Sequence, residues 1–191
     1  MRKLLVVVDY QNDFVDGSLG FPAAVSLHDK ICQKILEYKE EGQMIVFTLD
    51  THESNYDATQ EGRNLPVAHC IRGSGGHDLY GRVQILSLEY EKFEKPAFGS
   101  DLLYEYLKKS SYDSIEFVGL VSNICVLSNA VLAKTALPEA QIIVDAACTA
   151  SFDQVMNDKT LDILEGLQVL VTNAQVKKQM QRMLRFHRFG K

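Results

Sequence analysis

The chain has 191 residues, a formal net charge of −5, 46% hydrophobic residues and 24% charged residues. That is an ordinary soluble-globular balance for one domain; it excludes global disorder and argues against nucleic acid as a partner. The longest apolar run, residues 4–8, is far short of the ~20 residues of a membrane span and soon meets Asp9 and Asp13, so it reads as neither a span nor a signal peptide.

In chain order, Lys3–Val8 is a β-branched-rich run of the kind found in strands buried on both faces. Ser26 and Asp29 resemble a capping box for a helix whose face is Leu27, Ile31, Ile35 and Tyr38 and which Gly42 stops. Residues 44–49 predict a second buried strand and residues 83–88 a weaker third. Between them, residues 51–81 have few apolar positions and no period, and a loop that long inside a compact domain is usually functional. Ser100 caps a predicted helix with Leu102, Leu103, Tyr106 and Leu107 inward.

Ser114–Gly119 follows as a strand and residues 123–136 as a helix ended by Pro138. Residues 141–144 make another strand, Ser151 caps a helix running to about Leu164, and residues 167–171 are the last strand. The alternation predicts parallel βαβ units, hence an α/β fold: a three-layer α/β/α sandwich with a six-stranded, mainly parallel sheet. Residues 1–191 read as a single domain, with a basic tail from about residue 175 expected to be solvated or to pack between subunits of a homo-oligomer. Cys32, Cys70, Cys125 and Cys148 form no C-x-x-C pair and read as reduced thiols of a cytoplasmic protein.

Ligands of open parallel sheets bind beyond the carboxyl ends of the strands. The residues there are Asp9, Asp50 with His52, Lys95, and the segment from Val121 to Cys125. Cys125 lies at a strand-to-helix turn, where the helix dipole and a nearby lysine would lower its pKa and backbone amides could hold an oxyanion. From position alone it could equally be a buried, inert cysteine. An acid, a lysine and a cysteine on neighbouring strand ends can form a nucleophile–base set, with Asp9 taking the proton and Lys95 holding the thiolate. Asp13 reads as a turn residue. Asp50 and His52 share one face of an extended segment, and His69 and Glu61 could fold back to them; that donor set suits Zn²⁺, with Mn²⁺ or Fe²⁺ as alternatives. His28, His77 and His187 read as non-ligands.

Taken together these segments resemble the isochorismatase-like cysteine hydrolases, and within them the nicotinamidases (pyrazinamidases). The matching pieces are Val7-Val-Asp-Tyr-Gln-Asn-Asp-Phe14, Thr48-Leu-Asp-Thr-His52, Leu65-Pro-Val-Ala-His-Cys70, Glu94-Lys-Pro-Ala-Phe98 and the stretch from Gly119 to Val126. The resemblance implies a catalytic triad of Asp9, Lys95 and Cys125. It implies metal ligands at Asp50, His52 and His69, with Glu61 as a further acidic ligand. It also implies a cis Leu120–Val121 peptide, with the Val121 and Cys125 amides as the oxyanion hole. Phe14 would stack on the substrate ring, with Leu65 also at the pocket. The activity implied is hydrolysis of nicotinamide to nicotinate and ammonia through a thioester, a small amide being the partner and neither nucleic acid nor membrane.

The sequence departs from the family pattern at Asn123, where many nicotinamidases carry Asp, and at Leu65, where they carry an aromatic residue at a different spacing. The alternative is a sibling hydrolase acting on another small amide, a carbamoyl compound or isochorismate; isochorismatases need no metal, so His52 and His69 argue against the last. A receiver-type signalling domain would also place Asp9, Asp50 and Lys95 at strand ends. It needs a paired acid where Tyr10 stands, and it gives Cys125, His52 and His69 no role.

Overall fold

The computed structural model describes residues 1–174. They form a six-stranded sheet in the order β3-β2-β1-β4-β5-β6, with every ladder parallel. The strands are β1 (Lys3–Val8), β2 (Met44–Asp50), β3 (Glu91–Lys95), β4 (Ser114–Gly119), β5 (Gln141–Thr149) and β6 (Leu170–Thr172). Short helices α1 (Asn12–Val15) and α2 (Pro22–Val25) precede α3 (His28–Glu40); α4 (Gln60–Asn64) and α5 (Gly81–Leu86) link β2 to β3. α6 (Asp101–Lys108), α7 (Leu127–Ala136) and α8 (Gln154–Gly166) make the remaining crossovers.

The pleat of β1 explains the layers. Leu5 and Val7 face a core built with α3, including Ile31, Ile35 and Phe47. Leu4, Val6 and Val8 face the opposite core, with Leu103, Leu107, Ala130 and Leu161 from α6, α7 and α8. A strand covered on both sides must be apolar at every position, which is why β1 reads as a continuous hydrophobic run. The basic tail, and His187 within it, lie outside the described residues. Among the described residues no helix is long and apolar enough to cross a membrane.

The expected third strand is corrected. Residues 83–88 lie in and just beyond α5: Val83 is buried and Leu86 packs against the same core, while Ile85 and Leu88 are exposed. A short apolar run fits both periods, and here the three-residue spacing of Val83 and Leu86 prevails. The true strand is charged, Glu-Lys-Phe-Glu-Lys, with Phe93 and Lys95 buried; it is the sheet edge, where charge is expected. Boundaries shift elsewhere. Ser26 donates to Ala23 O and caps nothing on α3, and α8 is capped by Asp153, whose Oδ1 accepts from the Val155 and Met156 amides, not by Ser151. Ser100 caps α6 as expected, accepting from Leu103 N at 3.1 Å.

The chain runs outward from β1 to β3, then returns to β4 on the other side of β1. That reversal is the topological switch point, where α/β sheets bind ligands. Gly119 closes β4 at φ +107, and a Cβ there would run into the Val8 carbonyl oxygen. Only glycine lets the β4 exit pass so close to the β1 exit, which carries Asp9.

Away from this end, Lys34 on α3 reaches Glu116 of β4 at 2.9 Å and Asp145 of β5 at 3.0 Å, and the Tyr38 hydroxyl donates to Glu116 at 2.7 Å. Burial opposes the ammonium, but the two carboxylates hold the Lys34 pKa above its ordinary value. Lys34→Met should therefore lower stability by about 1.5–3 kcal/mol in urea unfolding, because Glu116 keeps Tyr38 and Asp145 keeps Asn173 and the Ala147 amide but both lose their cation. A loss under about 1 kcal/mol, the range of exposed pairs, would show that water compensates them.

Candidate active site

Asp9 follows β1 immediately, fully buried, in the left-handed region at φ +45. Its Oδ1 accepts from Thr48 Oγ1 at 2.6 Å. Lys95 ends β3 and pairs in register with Asp50, the last residue of β2. Its Nζ lies 2.7 Å from Asp9 Oδ2, 3.2 Å from Asp50 Oδ1, 3.0 Å from Ala97 O and 3.5 Å from Cys125 Sγ. One ammonium thus gathers residues from the exits of β1, β2 and β4.

Cys125 sits in a π-type turn, Ser122–Val126, that opens α7, and the Leu120–Val121 peptide before it is cis. Asn129 holds this turn to the loop after β3. Its Nδ2 donates to Cys125 O at 2.8 Å and Phe98 O at 3.1 Å, while its Oδ1 accepts from Ser100 N at 3.0 Å.

The electrostatics correct one sequence expectation. Burial pushes the Cys125 thiol well up; Lys95 opposes this, and the Asp9 and Asp50 carboxylates reinforce it. The helix terminus and the lysine do not outweigh the loss of water, so the thiol is shifted upward and not downward as position alone implied. Burial also raises the Asp9 carboxyl, against the pull of Lys95, which makes it a better proton acceptor. Burial disfavours the Lys95 charge, yet Asp9 above all, then Cys125 and Asp50, hold its pKa well above the ordinary lysine value.

Beside this group, Asp50, His52 and His69 bring ligand atoms within 4.8 Å of one another. Asp50 Oδ2 lies 3.1 Å from His52 Nε2 and 3.4 Å from His69 Nε2, and Glu61 Oε1 lies 3.8 and 3.9 Å from the same nitrogens. His52 Nε2 is buried and, though Asp50 Oδ2 is 3.1 Å away, lacks the alignment of a hydrogen bond. His69 Nδ1 is 2.8 Å from Val67 O, so it carries the proton and leaves Nε2 free to ligate. An orphaned imidazole nitrogen beside a carboxylate and a second poised imidazole fits a divalent ion. Burial would raise the Asp50 carboxyl, but His52, His69 and Lys95 pull it far below the carboxylate range. Glu61 comes from α4, which Thr59 caps.

Phe14 meets the His69 ring edge-on at 5.4 Å, and Tyr56 packs against both imidazoles and donates from its hydroxyl to Leu65 O. Phe14, Leu65, Val121, Cys125, Lys95 and all four potential metal ligands line one cavity of about 1200 Å³. Asp9 lies behind that wall, and Asn123 is not part of it. His77 contacts Thr51 Oγ1 at 2.9 Å and His28 pairs with Asp29, so neither joins the cluster.

Three supporting residues were not apparent from sequence. Gln11 accepts from Asp50 N at 2.8 Å and donates to Asp50 O at 2.9 Å, clamping that residue's backbone. Asp13, read as a turn residue, accepts from Cys70 N at 2.8 Å next to His69. Asn129 is the third. Only Gln11 and Asp13 carried a signal, their place in the segment with Asp9.

Residues 3–176 match the isochorismatase domain. The chain is 31% identical over 167 residues to the isochorismatase family protein PncA of Bacillus subtilis (strain 168), covering 81% of this chain and 89% of that protein. It is 24% identical over 216 residues to the nicotinamidase of Saccharomyces cerevisiae (strain ATCC 204508 / S288c), covering 90% and 99% respectively. The crystal structure of nicotinamidase/pyrazinamidase PncA from Bacillus subtilis aligns with a TM-score of 0.80 at 30% identity, over 90% of this chain and 99% of that one. The pyrazinamidase of Pyrococcus horikoshii in complex with zinc shares the fold, with a TM-score of 0.79 at 22% identity over 91% and 100% of the two chains. Since the domain match runs through nearly all of the sequence and the fold agrees along its length, the chain belongs to the isochorismatase family.

Proposed function

We propose that this chain is a metal-assisted cysteine amidohydrolase that converts nicotinamide to nicotinate and ammonia. One observation carries the reading: Lys95 Nζ holds Asp9, Asp50 and Cys125 within 3.5 Å, at the wall of a cavity that also holds the Asp50–His52–His69 cluster. The nicotinamidase names of its relatives point to the same chemistry.

Asp9 takes the Cys125 proton, and Lys95 stabilises the thiolate that forms. Sγ attacks the amide carbon, and the Val121 and Cys125 amides receive the oxyanion. The tetrahedral adduct collapses, the C–N bond breaks, and the proton on Asp9 leaves with ammonia. Asp9 then takes a proton from water, which attacks the thioester; the acid departs and the thiol is restored. Asp50, His52, His69 and Glu61 would hold a divalent ion, zinc first with manganese and iron also suited, which when bound would orient the substrate without activating the nucleophile. Phe14 and Leu65 border the ring.

We extend this reading to one hydrolase domain over residues 1–191, working as a homo-oligomer in the cytoplasm. The test is to incubate the purified chain with nicotinamide and follow ammonia and nicotinate. Equimolar release of both, stopped by prior alkylation of Cys125, is expected. Absence of ammonia from nicotinamide, with release from a carbamoyl compound, would move the assignment to the sibling hydrolases.

A further inference from the structure

We propose that the outer end of the cavity is a subsite for an uncharged, apolar arm on the amide substrate, with Phe98, Leu102 and Phe152 as its specificity-determining residues. The inference rests on the amidohydrolase reading above and extends it from a single ring to a substrate class.

Size is the first argument. Pockets that enclose most of a drug-sized ligand run about 300–1,000 Å³. This cavity, at about 1200 Å³, exceeds that range. A one-ring carboxamide seated between Cys125 and Phe14 fills only a small part of it.

The character of the unused part is the second argument. Phe98, Leu102 and Phe152 line the cavity while 48%, 53% and 66% exposed. Large apolar side chains that line a cavity while this exposed keep unfavourable contact with water until something apolar covers them. They are also held in place. Phe152 packs edge-on against Phe21 at 6.3 Å, and the Phe98 carbonyl accepts from Asn129, the residue that also ties down the Cys125 turn. A Cβ on Gly99 would meet the tip of the Leu132 side chain and lie near Ser128, so the loop carrying Phe98 runs alongside α7. The backbone at Phe98 is therefore tied to the turn that carries the nucleophile.

Charge is the third argument. The cations lining the cavity are Arg72 and Lys95. Arg72 is taken by Glu53 and Glu94, and Lys95 by Asp9 and Asp50. Asp50, Glu53, Glu61 and Glu94 also line the wall. Among the described residues both side-chain cations are already paired, and a bound ion would sit at the Asp50–His52–His69 cluster, so a carboxylate on the arm would lose water with no side-chain cation to receive it. The reaction is unchanged: water adds to the acyl carbon, its C–N bond breaks, and ammonia and a carboxylic acid leave.

The test measures kcat/KM for ammonia release by the full chain from nicotinamide, from phenylnicotinamides carrying the extra ring at each free ring carbon, and from their carboxyphenyl counterparts. At least one phenylnicotinamide should match or exceed nicotinamide, and its carboxyphenyl counterpart should fall about tenfold or more below it. Phe98→Ala and Phe152→Ala should each lower the phenylnicotinamide-to-nicotinamide ratio of kcat/KM about tenfold. Both rings are substantially exposed, so the variants should fold, and nicotinamide turnover by the same preparation verifies it. Turnover of nicotinamide with none of any phenylnicotinamide would overturn the inference and leave the amidohydrolase reading intact. A ratio unmoved by both substitutions would overturn it too, assigning the rim to some other contact. Absence of ammonia from every amide would sink the amidohydrolase reading, and the inference with it.

Discussion

Cys125→Ala is expected to lower kcat for ammonia release by at least about 10⁴-fold, and Asp9→Asn by a comparable factor, because nucleophile and base act as a unit. The two variants of the charged partners separate these roles through alkylation. In the native protein burial sets the Cys125 thiol high, the two carboxylates add to this, and Lys95 subtracts. Iodoacetamide should therefore react slowly at neutral pH, its rate climbing only above the free-thiol value of ~8.5. Asp9→Asn removes a carboxylate that disfavours the thiolate, so its profile should move to lower pH even as turnover is lost. Lys95→Met removes the cation that favours the thiolate, so its profile should move to higher pH. The rate of Cys125 alkylation against pH, with circular dichroism to verify folding, checks both signs. Amide turnover by Cys125→Ala within tenfold of the native rate would end the covalent mechanism. A Lys95→Met profile that did not move would remove Lys95 from it.

Metal removal should produce the second large effect. Purified protein is expected to carry about one divalent ion per chain, and His52→Ala or His69→Ala to lose it by elemental analysis. Three protein ligands form the close cluster, and Glu61 stands slightly farther from both imidazoles. Glu61→Gln should therefore weaken metal affinity by about tenfold to a hundredfold without abolishing binding. Dialysis against a chelator should suppress nicotinamide turnover while Cys125 alkylation continues, since Lys95 and Asp9 govern the thiol and remain. Metal-free protein with full turnover would remove the ion from the reaction and leave the cluster a purely structural feature.

What the sequence determined is the chemistry available at the strand ends. Asp9 and Asp50 are legible because a parallel sheet sends successive strands out of one edge, so a polar residue ending an apolar run marks that edge, and Cys125 because it lies in the turn after such a run; Lys95 stands out although its own strand does not. His52 and His69 are legible from their donor types and the extended backbone near Asp50.

Other features depend on distances between segments remote in sequence. Residues 83–88 are as apolar as a strand, and only packing against the α3 side makes them a helix. The real β3 is too charged to announce itself, because an edge strand buries few of its side chains. The fixed positions of Gln11, Asp13 and Asn129 come from hydrogen bonds spanning 39, 57 and 31 residues, which no local pattern encodes. The Cys125 pKa shows the same division. Local position, at a helix start with a lysine near, favours the thiolate; the fold, by excluding water and placing two carboxylates alongside, reverses the balance. Burial is a property of the whole packed chain, and the free energy of a charge depends on burial more steeply than on any neighbour the sequence can name.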